Sequence, residues 1–372
     1  MGKVYLSTDW HFGVYKVNLN KWLNIQLDYF YKEFIPHLKK TSEKGDILIM
    51  LGDLFDDRTS VPIIVQNKVE QLLIDIADIL PIHLIVGNHD CWNKGNNEIN
   101  SPRLFRHLDN VHIYDSTHVL EMGGKKLVLM PWVEHRDDMI QAIKDNQGDY
   151  LFCHSDLNGC RMHLSSVAHR NSSKIEVDEF SGYIRVFSGH IHIRQIHKNF
   201  EFIGAPYQMD RNDYHDNKGM TILDLGTGET EFIENTISPT FKKHKIEKDG
   251  DILLLAHIDT KKHFVDLEIN NSVLVGKRKN RKLLEEHLSN KQFSSVQYIN
   301  DLVKERKKND EVEIEDVDIA DLQFDDFDKT IIKYVEHQSY ETKDIKEGVG
   351  SELEKVLNIY NKEHKFKSDE QQ

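Results

Sequence analysis

Short apolar runs alternate with longer amphipathic stretches along the first part of the chain. VYLS (4–7), DILIML (46–51) and IHLIV (82–86) each read as a buried strand, a brief continuous apolar run closed by polar turn residues. Between them, the stretch from about Asn20 to Lys40 and the segment VPIIVQNKVEQLLIDIADIL (61–80) carry apolar residues at helical spacing, the second with Pro62 near its start. Strands alternating with helices predict a parallel sheet clothed by helices. KLVLMPW (126–132), DYLFC (149–153) and YIRVFSG (183–189) predict further strands, with a short helix around Arg136 to Lys144. Segments 194–203, 219–225 and 230–234 predict antiparallel strands. The expected fold class is α/β (an α+β sandwich): two mixed β-sheets packed face to face, with helices outside.

From Ile237 to Lys248 the pattern loosens into a linker. DILLLAHID (251–259), HFVDLEI (263–269) and a helix near Lys279 to Leu288 then predict a small α/β module. From Lys304 to Asp328 the chain is dense in charge, and Leu353, Val356, Leu357 and Tyr360 later fall at helical spacing. The expected organisation is a main domain over 1–236, a small α/β domain over 237–300, and an acidic linker with a helical tail over 301–372.

Charge sharpens this division. The net charge is −14, and residues 301–372 hold 12 Lys+Arg against 21 Asp+Glu, so most of the excess sits in the tail. That balance argues against a protein that coats nucleic acid with its whole surface, and leaves room for a local contact. No apolar run approaches the roughly 18 residues a membrane span needs. The opening MGKVYLSTDW runs straight into a strand, without the regions of a secretory leader. Cys91, Cys153 and Cys160 are odd in number and lack zinc-knuckle spacing, which suits a reducing cytoplasm.

The strand ends carry the chemistry. STDWH puts Asp9 and His11 after the first strand, GDLFDDR puts Asp53 after the second, and GNHD puts Asn88, His89 and Asp90 after the third. FCHSD adds His154 and SGHIH adds His190 and His192. Ligands collect beyond the carboxyl ends of strands in such sheets, and the Asp-x-His and His-x-His spacings suit an extended turn whose alternate side chains share a face. Carboxylates, imidazoles and an amide without thiolates suit Mn²⁺, Fe or Zn²⁺ better than a structural zinc site. Any one fragment has a bland reading, Gly-Asp as turn chemistry above all. Five of them in this order do not. His83, His112 and His169 read as surface or ordinary core residues.

In that order, Asp-x-His, Gly-Asp, Gly-Asn-His-Asp, His and Gly-His-x-His resemble the signature of the calcineurin-like metallophosphoesterases, over roughly residues 3 to 235. The resemblance implies that Asp9, His11, Asp53 and His192 hold one divalent metal. Asp53 would bridge to a second, held by Asn88, His154 and His190, with Mn²⁺ the leading choice ahead of Mg²⁺, Fe or Zn²⁺. His89 would stand beside the scissile phosphate as the catalytic acid, with Asp90 either orienting it or capping the turn. GDLFDDR, PWVEH (131–135), HSDLNG (154–159) and FIGAPYQMD (202–210) look like the SbcD and meiotic-recombination exonuclease family of double-strand-break repair, in its phage or bacterial branch. Asp56 stands where archaeal and eukaryotic members usually have His.

That resemblance implies a metal-dependent DNA exonuclease and single-strand endonuclease acting with an SMC/ABC-type, SbcC-like ATPase, in the cytoplasm of a cell or of a phage host. Residues 237–300 would be a capping, DNA-binding domain. Leu322, Phe324, Phe327, Ile331, Ile332 and Val335 would dock on the ATPase. Arg58, Arg161 and Arg194, with Arg170 and Arg211, are the candidate DNA contacts. Homodimerisation is common in the family. The alternative is a phosphatase or cyclic-nucleotide phosphodiesterase of the same fold acting on small substrates. A non-catalytic scaffold would be expected to have lost ligands that are all present here.

Overall fold

The computed structural model describes residues 2–14, 19–93, 95–168 and 174–299. Its strands are β1 (Lys3–Ser7), β2 (Ile47–Met50), β3 (Ile82–Ile85), β4 (Cys91–Asn93), β5 (Asn96–Asn100), β6 (Val111–Tyr114), β7 (His118–Met122) and β8 (Lys125–Met130). They continue with β9 (Tyr150–His154), β10 (Arg185–Gly189), β11 (Gln195–His197), β12 (Phe200–Phe202), β13 (Gly219–Asp224), β14 (Thr230–Glu234), β15 (Phe241–Ile246), β16 (Phe264–Asn270) and β17 (Ser295–Ile299). The α-helices are α1 (Leu19–Tyr29), α2 (Ile35–Thr41), α3 (Ile63–Ala77), α4 (Arg136–Asp145), α5 (Asp251–Leu254) and α6 (Arg278–Asn290).

One six-stranded sheet runs β14-β13-β1-β2-β3-β6 and the other β11-β12-β10-β9-β8-β7. In the first, β1, β2, β3 and β6 are parallel while β13 and β14 join antiparallel at one end; in the second, β12, β10, β9 and β8 are parallel and both edge pairings are antiparallel. Strand alternation explains the layers. Val4, Leu6, Ile49 and Leu51 of the first sheet meet Leu127, Leu129, Phe152 and Phe187 of the second in a buried layer between them. The intervening Tyr5, Leu48 and Met50 face outward onto α1 and α3, and Val128, Met130, Leu151 and Cys153 face outward onto α4. The expected sandwich of two mixed sheets with flanking helices is the observed architecture.

The first helical stretch contains a π-helical turn, Phe30–Phe34, immediately before Pro36 at the start of α2. A wider turn there absorbs the proline's missing N–H without breaking the run.

Several elements depart from expectation. Segment 194–203 is two strands, β11 and β12, because Lys198 turns at φ 54°. β12 then pairs parallel with β10. The expected linker at 237–248 contains β15, where only Phe241 and Ile246 are buried and the residues between them stay at least partly open. Within the expected small α/β module, DILLLAHID supplies α5 and a 3₁₀ turn. β4 to β7 carried too little apolar alternation to be read.

β15, β16 and β17 form a separate all-parallel sheet around Ile246, Ile252, Leu255, Val265, Leu267, Ile269 and Leu284. Several contacts fasten it to the sandwich. Trp22 of α1 stacks on Phe264, centroids 5.2 Å apart and planes 22° apart. The Phe241 amide donates to Gln208 at 2.7 Å, and Arg211 grips Asp266 with two bonds of 2.5 and 3.1 Å. Among the described residues no helix is long and apolar enough to cross a membrane. Leu322, Phe324, Phe327, Ile331, Ile332, Val335, His169 and Arg170 lie outside the described residues.

Candidate metal centre

Every strand-end motif delivers its side chains to one point. The local backbone is unusual: Asp9, His11, Asp53 and His190 have φ of 53°, 43°, 57° and 80°. A non-glycine residue rarely adopts this left-handed region, and one that does is held there by its surroundings. The Asp9 and His11 amides donate to the carbonyls of Gly52 and Asp53, each at 3.0 Å, so the two loops lock each other. Gly87 is required by close approach: a Cβ there would lie 2.2 Å from Asp53 Oδ1.

The donor atoms fall into two groups. In the first, His11 Nε2 and His192 Nε2 face each other at 3.2 Å, with Asp9 Oδ1 3.9 Å from each. In the second, Asn88 Oδ1 lies 2.8 Å from both His154 Nε2 and His190 Nδ1. Asp53 Oδ2 stands between them, 3.3 Å from His154 Nε2 and 3.7 Å from His11 Nε2. Ligands held about 2.0–2.2 Å from one cation lie roughly 3.0–3.4 Å from one another, and the spacings here fall within about 0.5 Å on either side of that range. Two bare imidazole nitrogens at 3.2 Å would otherwise repel unless a proton or cation lies between them.

Electrostatics point the same way. Burial alone would raise Asp53, but His154 and His11 overcome it and hold the carboxyl far below its usual range. Burial would lower His154, yet Asp53 and Asp9 push it up to about 9. The buried carboxylates thus call for positive charge where the donors converge. Burial, with His11 and Lys218 nearby, holds His192 well below its ordinary value.

Supporting groups orient the donors. His154 Nδ1 donates to the Leu51 carbonyl at 2.6 Å, aiming Nε2 inward. Trp132 packs against His190 with centroids 5.1 Å apart. Lys218 is buried between Asp213 and Asp216, at 2.7 and 2.6 Å, and donates to the His192 carbonyl at 2.7 Å. Sequence reading missed Lys218, and no pattern signals a lysine that bonds a distant carbonyl.

His89 is half-buried beside this centre. Its Nδ1 donates to the Asp56 carbonyl at 2.7 Å, and its ring lies 4.8 Å from that of His11. Burial, opposed by Asp53, lowers its pKa. The orienter of His89 is the Asp56 backbone, so of the two roles expected for Asp90 its contacts match the capping of the turn. The wholly buried Asp90 carboxylate accepts from the amides of Gly87, Asp53, Leu54 and Phe55, between 2.9 and 3.4 Å. Burial and Asp53 push Asp90 up to about 7 while these donors pull it down. With four N–H groups aimed at its oxygens, the ionised form is the one the geometry accepts. Asp90 therefore ties the two loops together through their backbone.

Two of the arginines have partners within the fold. Arg194 donates to Glu201 at 2.9 Å and lies 4.0 Å over the Phe232 ring, while its Nε is buried without a hydrogen-bond partner. Arg211 is engaged with Asp266. Arg161 is exposed, and its backbone is bracketed by Gln195. Arg58 is half-buried near His89, with its Nε buried and without a hydrogen-bond partner.

The chain matches the calcineurin-like phosphoesterase family over residues 2–194. It is 30% identical over 238 residues to exonuclease subunit 1 of Enterobacteria phage T4, covering 63% of this chain and 68% of that one. It is 25% identical over 203 residues to protein 244L of Invertebrate iridescent virus 6, whose name assigns it as a phosphoesterase, covering 51% and 68%. A crystal structure of a protein of unknown function from Aquifex aeolicus aligns over 42% of this chain and 81% of its own, with 23% identity and a TM-score of 0.26.

Proposed function

Because the chain belongs to the calcineurin-like phosphoesterase family and is a metal-binding hydrolase of phosphodiesters, we propose that it is the nuclease subunit of a DNA-processing complex, working through two divalent cations. Asp9, His11, Asp53 and His192 would hold one cation, and Asp53, Asn88, His154 and His190 the other. The observation that carries this reading is the placement of Asp53 Oδ2 within 3.7 Å of donors from both groups. When bound, the two cations neutralise phosphate charge and provide a water-derived nucleophile near neutral pH.

The protein's own groups do the rest. His89 has Nδ1 committed to Asp56, so Nε2 is the atom available to a substrate. Burial disfavours the imidazolium, so the charge of a bound phosphate would have to restore it; in that form the Nε2 proton passes to the departing oxygen, a contribution typically worth about 10²–10⁴ in rate. Arg58, with an unsatisfied buried Nε, supplies positive charge on the same side. A wide cleft of about 990 Å³, lined by Asn88, Trp132, Arg136, Asp156, Lys174 and His190, opens beside the second donor group.

Similarity to a phage exonuclease subunit supports DNA as the substrate and a partner subunit in the complex. In this reading residues 237–300 cap the cleft, residues 301–372 reach an SMC/ABC-type ATPase, Mn²⁺ is the working metal, and recombination or repair in the host cytoplasm is the setting.

The test is cleavage of end-labelled linear duplex DNA in Mn²⁺ by the purified chain, beside hydrolysis of bis-p-nitrophenyl phosphate. Duplex shortening abolished by Asp53→Ala and His89→Ala is the expected result. Hydrolysis of the small ester with DNA left intact, even with an SMC-like ATPase added, would replace the nuclease by a small-substrate phosphodiesterase.

A further inference from the structure

We propose that Asp156 is a positioning residue that fixes the tautomer of His190, an inference that rests on the two-cation reading above. His190 is gripped at both ring nitrogens: Nδ1 lies 2.8 Å from Asn88 Oδ1, and Nε2 lies 3.1 Å from Asp156 Oδ1. An ionised carboxylate can only accept, so the ring hydrogen sits on Nε2 and the Nδ1 lone pair faces the Asn88, Asp53 and His154 donors. That is the protonation pattern a cation needs from an imidazole.

Two further contacts hold the carboxylate. Lys174 Nζ bonds Asp156 Oδ1 at 2.9 Å, the oxygen that also meets His190. Trp132 covers a face of the His190 ring at 5.1 Å, which limits its rotation away from the carboxylate. The device differs from that at His154, whose Nδ1 relies on a backbone carbonyl that no substitution can remove. At His190 the orienting group is a side chain placed two residues after His154, so one loop supplies both a donor and the orienter of another.

Asp156→Asn keeps the shape but presents an amide that can donate as well as accept, so the His190 tautomer is no longer imposed. Removing an orienting partner of this kind typically costs about 10–100-fold in metal affinity. Mn²⁺ titration of the full-length chain, followed by electron paramagnetic resonance and calorimetry, reads that loss without any assay of activity. Wild type should bind two ions and show spin coupling between them. Asp156→Asn should bind one ion normally and the second about 10–100-fold more weakly, with the coupling lost at limiting metal. Asp156→Glu, which restores an obligate acceptor, should recover part of the second affinity.

Two ions bound by Asp156→Asn with wild-type affinity and coupling would overturn the assignment. Equal weakening of both ions would overturn it too, because it would mark a general loosening of the loops. Wild-type protein that binds fewer than two Mn²⁺ would instead sink the two-cation reading itself.

Discussion

At the scale of single residues, the centre depends on side chains that hold its loops together. Asp90 is the clearest, since its carboxylate collects four backbone amides from the loops that carry Asp53 and Asn88. Asp90→Asn turns an amide nitrogen toward donors, leaving N–H groups buried and unpaired at about 1–3 kcal/mol each. We expect that variant to lose about 2–4 kcal/mol in urea unfolding, whereas half-buried His89→Ala should unfold near the wild-type midpoint while losing about 10²–10⁴ in turnover. A stable Asp90→Asn with reduced turnover alone would return Asp90 to a chemical role. The seven donors and His89 were legible in the sequence because each follows an apolar strand with polar types that a core rejects. Asp56 acts on His89 through its carbonyl, which every residue possesses, so its identity carried no signal. Asp156 did leave a trace, a carboxylate two positions after a candidate donor, but only the fold shows which imidazole it meets.

Among the elements, legibility followed burial. Strands buried along both faces, such as β2 and β9, are continuous apolar runs and stand out. β6 and β7 are partly open, and β15 is buried mainly at its ends, so their composition resembles loop. Strand β3, beside β6, also holds a pH-sensitive histidine. His83 is buried, bonded through Nδ1 to the Tyr114 hydroxyl at 2.8 Å and stacked on His112. Burial, with His112 and His118 nearby, lowers its pKa to about 4. The unfolded chain therefore binds a proton below about 6.5 that the folded chain refuses until about 4, and stability falls as pH drops through that window. Between pH 7 and 5 this amounts to about 2 kcal/mol. His83→Phe keeps the stack without titrating, so its urea stability should fall about 2 kcal/mol less than wild type over that range. Parallel losses in the two proteins would refute the assignment.

For the whole molecule, the third sheet is an attached unit whose position depends on a few contacts. Trp22 lies between the sandwich and that sheet, and burying an aromatic of this size is worth about 3–5 kcal/mol on truncation to Ala. Trp22→Ala should raise amide exchange across residues 241–299 while leaving β1, β2, β9 and β10 protected. Uniform loss of protection would show instead that the sheets unfold as one. Local composition and spacing determined the order of buried strands, the helices between them, the fold class and the identities of the donors, because burial and turn chemistry act on neighbours in sequence. Only tertiary structure decided how those donors divide into two groups, that Asp53 Oδ2 lies between them, that Asp90 serves the backbone, and that Arg194 and Arg211 are committed to ion pairs. Those facts depend on distances between residues as many as 183 positions apart, as Asp9 and His192 are, and chain closure over such a span leaves no local pattern to read.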